Sequence, residues 1–226
     1  MKIHTFEQYT PEWWDARRGV ITASEVGAFV INTDKRAQKA RLGLIYKKLA
    51  ELSGHFEEIF PNFAMKRGTA LEPHARDHYA DRTGKEVREV GFIQHDILPI
   101  GCSPDGLIYD GDLILHGLEI KCPGAAKHIE YLMNGCLPAE YLFQVHMSMI
   151  LAEVDRWDFY SYCPIAEFRK DTDPWRVIEL TESLPPLHVE VRRDDFTDEL
   201  EEGLNQLCRQ YEETKAVMAE IYEKNS

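Results

Sequence analysis

Polar and apolar positions change period several times along the chain, and each change marks an element. Thr10-Pro11-Glu12 has the features of a helix start: an N-cap, a proline at the first helical position and an acid in the first turn. Trp13, Trp14, Arg17 and Arg18 lie on that helix, and Gly19 ends it. Thr22 and Glu25 fit a capping box opening a second short helix, with Ser24 in its first turn. A longer helix is predicted from Asp34, with Ala40, Leu44, Ile45, Leu49 and Leu52 as its apolar stripe, basic residues opposite, and Ser53-Gly54 as its stop. Another runs from about Asn62 to Thr83 and closes at Gly84. In it, Gly68 one turn before Glu72 would allow close approach of another element.

From Glu86 to Gly101 the pattern becomes strand-like, through Val87, Val90, Phe92, Ile93, Ile97, Leu98 and Ile100. It leads into Ser103 to Pro123, where two short apolar runs flank Asp110-Gly111-Asp112, a strong hairpin signal. Folded on that turn, the stretch brings Asp105 near the level of Gly117 to Glu119. Alternation then points Glu119 and Lys121 to one face and Ile120 to the other. Two readings of the hairpin stand side by side. Hard oxygen ligands beside a lysine suit Mg²⁺-dependent phosphodiester hydrolysis, whereas a plain cross-strand ion pair needs no function.

Pro123 is expected to start a helix with Lys127, Ile129, Leu132 and Met133, and Pro138-Ala139-Glu140 to start the next. On the latter, Tyr141, Gln144 and Ser148 recur at helical spacing, so a polar strip could face the hairpin. Strands return at Trp157 to Cys163, Trp175 to Leu180 and His188 to Arg192. A last helix, from Asp194 or Asp195 to about Glu223, places Leu200, Leu204, Leu207, Tyr211, Val217 and Ile221 on its apolar side. This order predicts an α/β fold, one domain over residues 1–226, with a mixed central β-sheet flanked by helices on both sides.

Composition narrows the function. The 226 residues contain no apolar run of membrane-spanning length, and the N-terminus lacks a signal peptide's apolar region. Five cysteines without C-x-x-C spacing speak against a disulfide framework or structural zinc, and a reducing cytoplasm is expected. A net charge of −13 argues against indiscriminate binding to nucleic acid. Yet basic residues gather at Arg17-Arg18, Lys35 to Lys48 and Lys66-Arg67, while the C-terminal acids read as a solvated helix. Arg17 and the helix start at Ser24 suggest a phosphate site, with plain capping and a surface arginine as the alternative. His74 and His78 mimic a metalloprotease zinc pair, but Ala75 stands where the glutamate belongs, and the pair is set aside.

In order, Arg17-Arg18-Gly19-Val20-Ile21-Thr22-Ala23-Ser24-Glu25, Glu72, Cys102-Ser103-Pro104-Asp105-Gly106, Leu118-Glu119-Ile120-Lys121-Cys122-Pro123 and Gln144-Val145 with Ser148-Met149 make a composite motif. It resembles the phage lambda exonuclease (YqaJ-type viral recombinase) family of the PD-(D/E)XK, restriction-endonuclease-like superfamily. The resemblance spans roughly residues 13 to 160. It implies that Asp105, Glu119 and the Ile120 carbonyl bind Mg²⁺, with Glu72 helping to hold a second ion and Mn²⁺ able to substitute. Lys121 matches the catalytic lysine, and Gln144 and Tyr141 match helix residues lining the active site. Arg17, Ser24 and Ser103 match positions that bind the 5′-terminal phosphate. Lys127 stands where the family has an arginine for that phosphate, which keeps the charge but not the bidentate geometry.

The implied activity is 5′→3′ exonuclease action on double-stranded DNA with 5′-phosphorylated ends, releasing mononucleotides and leaving 3′ single strands for recombination. A homotrimeric ring, a partner single-strand annealing recombinase, and phage or prophage origin in a bacterial cytoplasm are implied too. An endonuclease or resolvase on the same core and a catalytically silent DNA-binding subunit are the alternatives. Intact Asp105, Glu119 and Lys121 oppose the silent subunit, and the scattered cysteines disfavour a Cas4-like iron–sulfur enzyme.

Overall fold

A computed structural model describes residues 1–56 and 60–225. In chain order its elements are β1 (Lys2–His4), α1 (Pro11–Arg17), β2 (Ile21–Thr22), α2 (Lys35–Leu52), α3 (Phe63–Thr83), β3 (Val87–Arg88), β4 (Phe92–Gln94), β5 (Ile100–Cys102), β6 (Gly106–Asp110), β7 (Leu113–Lys121), α4 (Ala125–Asn134), α5 (Leu142–Ala152), β8 (Arg156–Ser161), β9 (Ile165–Arg169), β10 (Arg176–Thr181), β11 (Leu187–Arg192) and α6 (Asp195–Asn225).

The hairpin of β6 and β7 turns at Gly111, whose φ of +59° suits a residue without a Cβ. It lies inside a mixed sheet of order β11-β8-β7-β6-β3, in which β7 and β8 run parallel. A parallel pair needs a crossover, and α4 and α5 supply it. On one face of the sheet Ala75 and Tyr79 of α3 pack against Leu118, Ile120 and Tyr160. On the other, Val145 and Met149 of α5 share a core with Leu107 and Trp157. Helices therefore cover both faces, as the element order predicts. Gly117 lets Trp157 lie directly on β7: a Cβ there would sit 2.2 Å from the indole.

The other strands do not join this sheet. β1-β4-β5-β2 form a second one, and β9 pairs with β10 in a third. The division falls at Ser103-Pro104-Asp105, between β5 and β6, where proline has no N–H for a ladder. The single expected sheet is thus three among the described residues, and β1, β2 and β9 are additional to the predicted strands. The expected helix at Thr22–Glu25 is one 3₁₀ turn, Ala23–Glu25. α4 starts at Ala125 with Gly124 as its cap rather than at Pro123, and Ala139–Tyr141 is a 3₁₀ turn leading into α5.

The stripe of α2 is rotated from the expected one. Ala40 and Leu52 are exposed, while Ala37, Arg41, Ile45, Lys48 and Leu49 face inward. Lys48, 4% exposed, stays inside because its ammonium lies 2.8 Å from Glu25 and 3.0 Å from Glu51. Arg41 donates to the Val30 carbonyl at 3.4 Å. α6 buries Leu200, Leu204, Leu207 and Tyr211, and the Tyr211 hydroxyl donates to the Gly19 carbonyl at 3.0 Å. Among the described residues no helix is long and apolar enough to cross a membrane.

Candidate active site

Gly106 pairs with Leu118, so Asp105 arrives level with Glu119. The Asp105 N–H donates to the Leu118 carbonyl at 3.2 Å, and its carboxylate accepts from the Ile120 N–H at 2.6 Å. These two bonds fix the aspartate against β7. Glu119 is 1% exposed; its carboxylate accepts from the Lys121 ammonium and, at 2.7 Å, from Gln144 in the first turn of α5. The Lys121 ammonium also lies 5.0 Å from the Tyr141 ring centroid, and that ring stacks on Phe159. Ser148, the third residue of the expected polar strip, is buried and bonds the Cys102 thiol instead.

Glu72 approaches from α3. Burial first, and then the Asp105 charge, push its carboxyl up to about 8. Burial likewise carries Glu119 up to about 7 against the pull of Lys121, and raises Asp105. Lys121 shifts the other way: burial would lower it, but the Glu119 and Asp105 carboxylates raise it, so it stays an ammonium. Arg76, one helical turn beyond Glu72, belongs to the same cluster. It donates to the Glu72 carboxylate and to the Asp105 main-chain carbonyl, both at 2.8 Å, and pairs with Glu89. Nothing in the motif singles it out; its i, i+4 spacing from Glu72 is the one signal in the sequence. Gly68 has open space where a Cβ would stand, so no element uses the close approach that it would allow.

The buried Glu119 and the half-buried Glu72 and Asp105, with Lys121 and Arg76 as counter-charges, give hard oxygen donors, which is chemistry that fits a divalent cation. Among the described residues, no three His, Cys, Asp or Glu side chains stand ready-made as a metal cage. Arg76 bonds Glu72, and Lys121 and Gln144 bond Glu119.

Beside this cluster stands a second one. Ser103 accepts from Arg17 at 3.1 Å and from the Trp13 indole N–H at 2.9 Å. The Arg17 guanidinium lies over the Trp13 ring, 4.1 Å from its centroid, and borders a cleft of about 410 Å³ with Trp14, Arg18 and Phe56. Trp13 was visible in the sequence only as a helix residue. Ser24 is exposed on the 3₁₀ turn, 3.3 Å from the Thr22 hydroxyl. Lys127 is not brought to this cluster: its ammonium is taken by Glu130 at 3.2 Å and Glu140 at 3.6 Å. His78 bonds Tyr160 and Glu182, each at 2.7 Å.

Residues 12–155 match the YqaJ-like viral recombinase domain. The chain belongs to that family. Two structures of LHK-Exo, an alkaline exonuclease from Laribacter hongkongensis, are 32% identical to this YqaJ-family chain. They cover 96% of it and 100% of their own length, with TM-scores of 0.73 and, for the complex with dAMP, 0.72. A phage-related exonuclease from Haemophilus somnus 129PT shares the fold at 16% identity and a TM-score of 0.60, over 88% of this chain and 96% of that one. No curated protein matches. The YqaJ-family fold here is thus the mixed α/β, PD-(D/E)XK type that the composite motif implies.

Proposed function

We propose that this protein is a Mg²⁺-dependent 5′→3′ exonuclease of double-stranded DNA that releases 5′-mononucleotides and leaves 3′ overhangs for recombination. One observation carries the reading. Ser103, which accepts from Arg17, is joined through Pro104 to Asp105, which lies against β7 beside Glu119 and Lys121. A cationic grip suited to a phosphate and a carboxylate site suited to hydrolysing one are therefore covalent neighbours. The similarity to the alkaline exonuclease LHK-Exo, one of whose structures is a complex with dAMP, supports the same chemistry.

In this reading Asp105, Glu119 and the Ile120 carbonyl hold Mg²⁺, or Mn²⁺ in its place, and Glu72 helps to hold a second ion. When bound, the metal supplies Lewis-acid activation of water and charge stabilisation at the leaving 3′-oxygen. Lys121, kept protonated by its neighbours, orients the attacking water and offsets charge growing on the phosphate. Gln144 fixes the Glu119 carboxylate, and Tyr141 supports the Lys121 ammonium. Arg17, Ser103 and Ser24 hold the 5′-phosphate. Such contacts position a strand without reading its sequence. Lys127 adds to the grip only when it leaves Glu130 and Glu140. A homotrimeric ring and a single-strand annealing partner belong to the same proposal.

The test is a linear duplex labelled at one 5′-phosphate, incubated with Mg²⁺ or with EDTA. Labelled mononucleotide is expected with Mg²⁺ alone, and covalently closed circles should stay intact. Absence of metal-dependent release sinks the proposal, and equal cutting of closed circles replaces it with an endonuclease. Sedimentation equilibrium tests the trimer.

A further inference from the structure

Tyr9 has no part in the steps above, yet it stands between the two clusters. It is not a glycine, but its φ is +67°, a conformation that an L side chain adopts only at a cost. The residues around it hold that conformation in place. Gln8 donates to the Val90 carbonyl at 3.3 Å and to the Pro104 carbonyl at 3.1 Å, and the Thr10 hydroxyl donates to the Glu7 carbonyl at 2.7 Å. The turn is thereby tied to the very residue that links Ser103 to Asp105. Strain maintained by the surroundings at such a place points to use.

Tyr9 is 58% exposed. Its centroid is 5.1 Å from that of Trp13, which carries Arg17 on its face. Its hydroxyl is within reach of Thr69 on α3 and in electrostatic range of Glu72, Asp105 and Lys121. An exposed aromatic side chain therefore lies close to both the phosphate grip and the carboxylates. A nucleotide held by its 5′-phosphate at Arg17 has to put its base close by.

We infer that Tyr9 is the platform on which the base of the 5′-terminal nucleotide stacks, making it a positioning residue for the strand being degraded. The ligand class is the nucleobase, without preference among bases, because each presents a π-face. This rests on the exonuclease reading above and adds to it the contact that places the sugar and base of the end nucleotide.

Two variants separate stacking from folding. Tyr9→Gly removes the ring and relaxes the backbone, because glycine adopts φ +67° freely, and Tyr9→Phe keeps the ring. The first probe is a duplex with 2-aminopurine as its 5′-terminal base, bound in EDTA so that nothing is hydrolysed. Wild type and Tyr9→Phe should quench its fluorescence by stacking, and Tyr9→Gly should not. The second probe is turnover with Mg²⁺: Tyr9→Gly should raise KM roughly tenfold, with the change carried by KM rather than kcat. On a duplex whose 5′-terminal nucleotide is abasic, wild type and Tyr9→Gly should have equal KM. Undiminished quenching with Tyr9→Gly, or the same KM ratio on intact and abasic ends, overturns the inference and leaves the exonuclease reading standing. A wild-type protein that neither binds nor degrades duplex ends removes both.

Discussion

Lys121 and Arg76 are cations set among the same carboxylates, and their removal should have different consequences. Lys121 contacts Glu119 on the face where the reaction is proposed. Lys121→Ala should lower mononucleotide release by about 10³-fold. Binding of duplex ends, followed by fluorescence anisotropy in EDTA, should persist because Arg17 and Ser103 are untouched. Arg76 instead bonds Glu72, the Asp105 carbonyl and Glu89 at once. Arg76→Ala leaves the half-buried Glu72 carboxylate and the Asp105 carbonyl unpaired and should cost about 2 kcal/mol in urea unfolding. Arg76→Lys should restore only part of it, since one ammonium cannot reproduce a planar fork.

Between elements, two contacts carry separable predictions. Gly117→Ala drives a methyl into Trp157, and the β7–β8 pair cannot separate to make room, so a loss of about 3 kcal/mol is expected in thermal or urea unfolding. Glu25 joins the 3₁₀ turn to α2. Burial would raise its carboxyl, but Lys48 and Thr22 outweigh that and hold it at about 2 against an ordinary 4.5. A depressed carboxyl contributes its stability fully above the unfolded value and loses it as pH falls toward the folded one. Roughly 3 kcal/mol should therefore disappear between about pH 4.5 and pH 2. Unfolding free energies measured across that window should show the slope, and Glu25→Gln should flatten it.

The same elements show what the sequence could disclose. The β6–β7 hairpin was readable because Asp110-Gly111-Asp112 is local and strand alternation has a fixed period, so Glu119 and Lys121 fall opposite Ile120 without further information. The inward face of α2 was not readable. Arg41 and Lys48 look like solvent-facing residues until Val30, Glu25 and Glu51 are brought to them by distant parts of the chain. Arg76 was hidden for the same reason, and the strain at Tyr9 is a backbone property that no side-chain pattern records. The split into separate sheets depends on long-range pairing, which local signals do not set.

Across the whole molecule, the proposed site draws on segments from α1 to α5, and α6 braces the first of them from the far end of the chain. The Tyr211 hydroxyl reaches the Gly19 carbonyl just beyond Arg17. Tyr211→Phe should cost about 1 kcal/mol, seen as a lower urea midpoint with an unchanged slope. Only Pro104 separates Ser103 from Asp105, and Gln8 pins that proline in place. Two residues of chain reach at most ~7 Å, so the place that grips an end and the place that cuts cannot drift apart. In the exonuclease reading the protein has a built-in stride: each step along the strand is measured by covalent bonds, and every turnover shortens the DNA by the same unit.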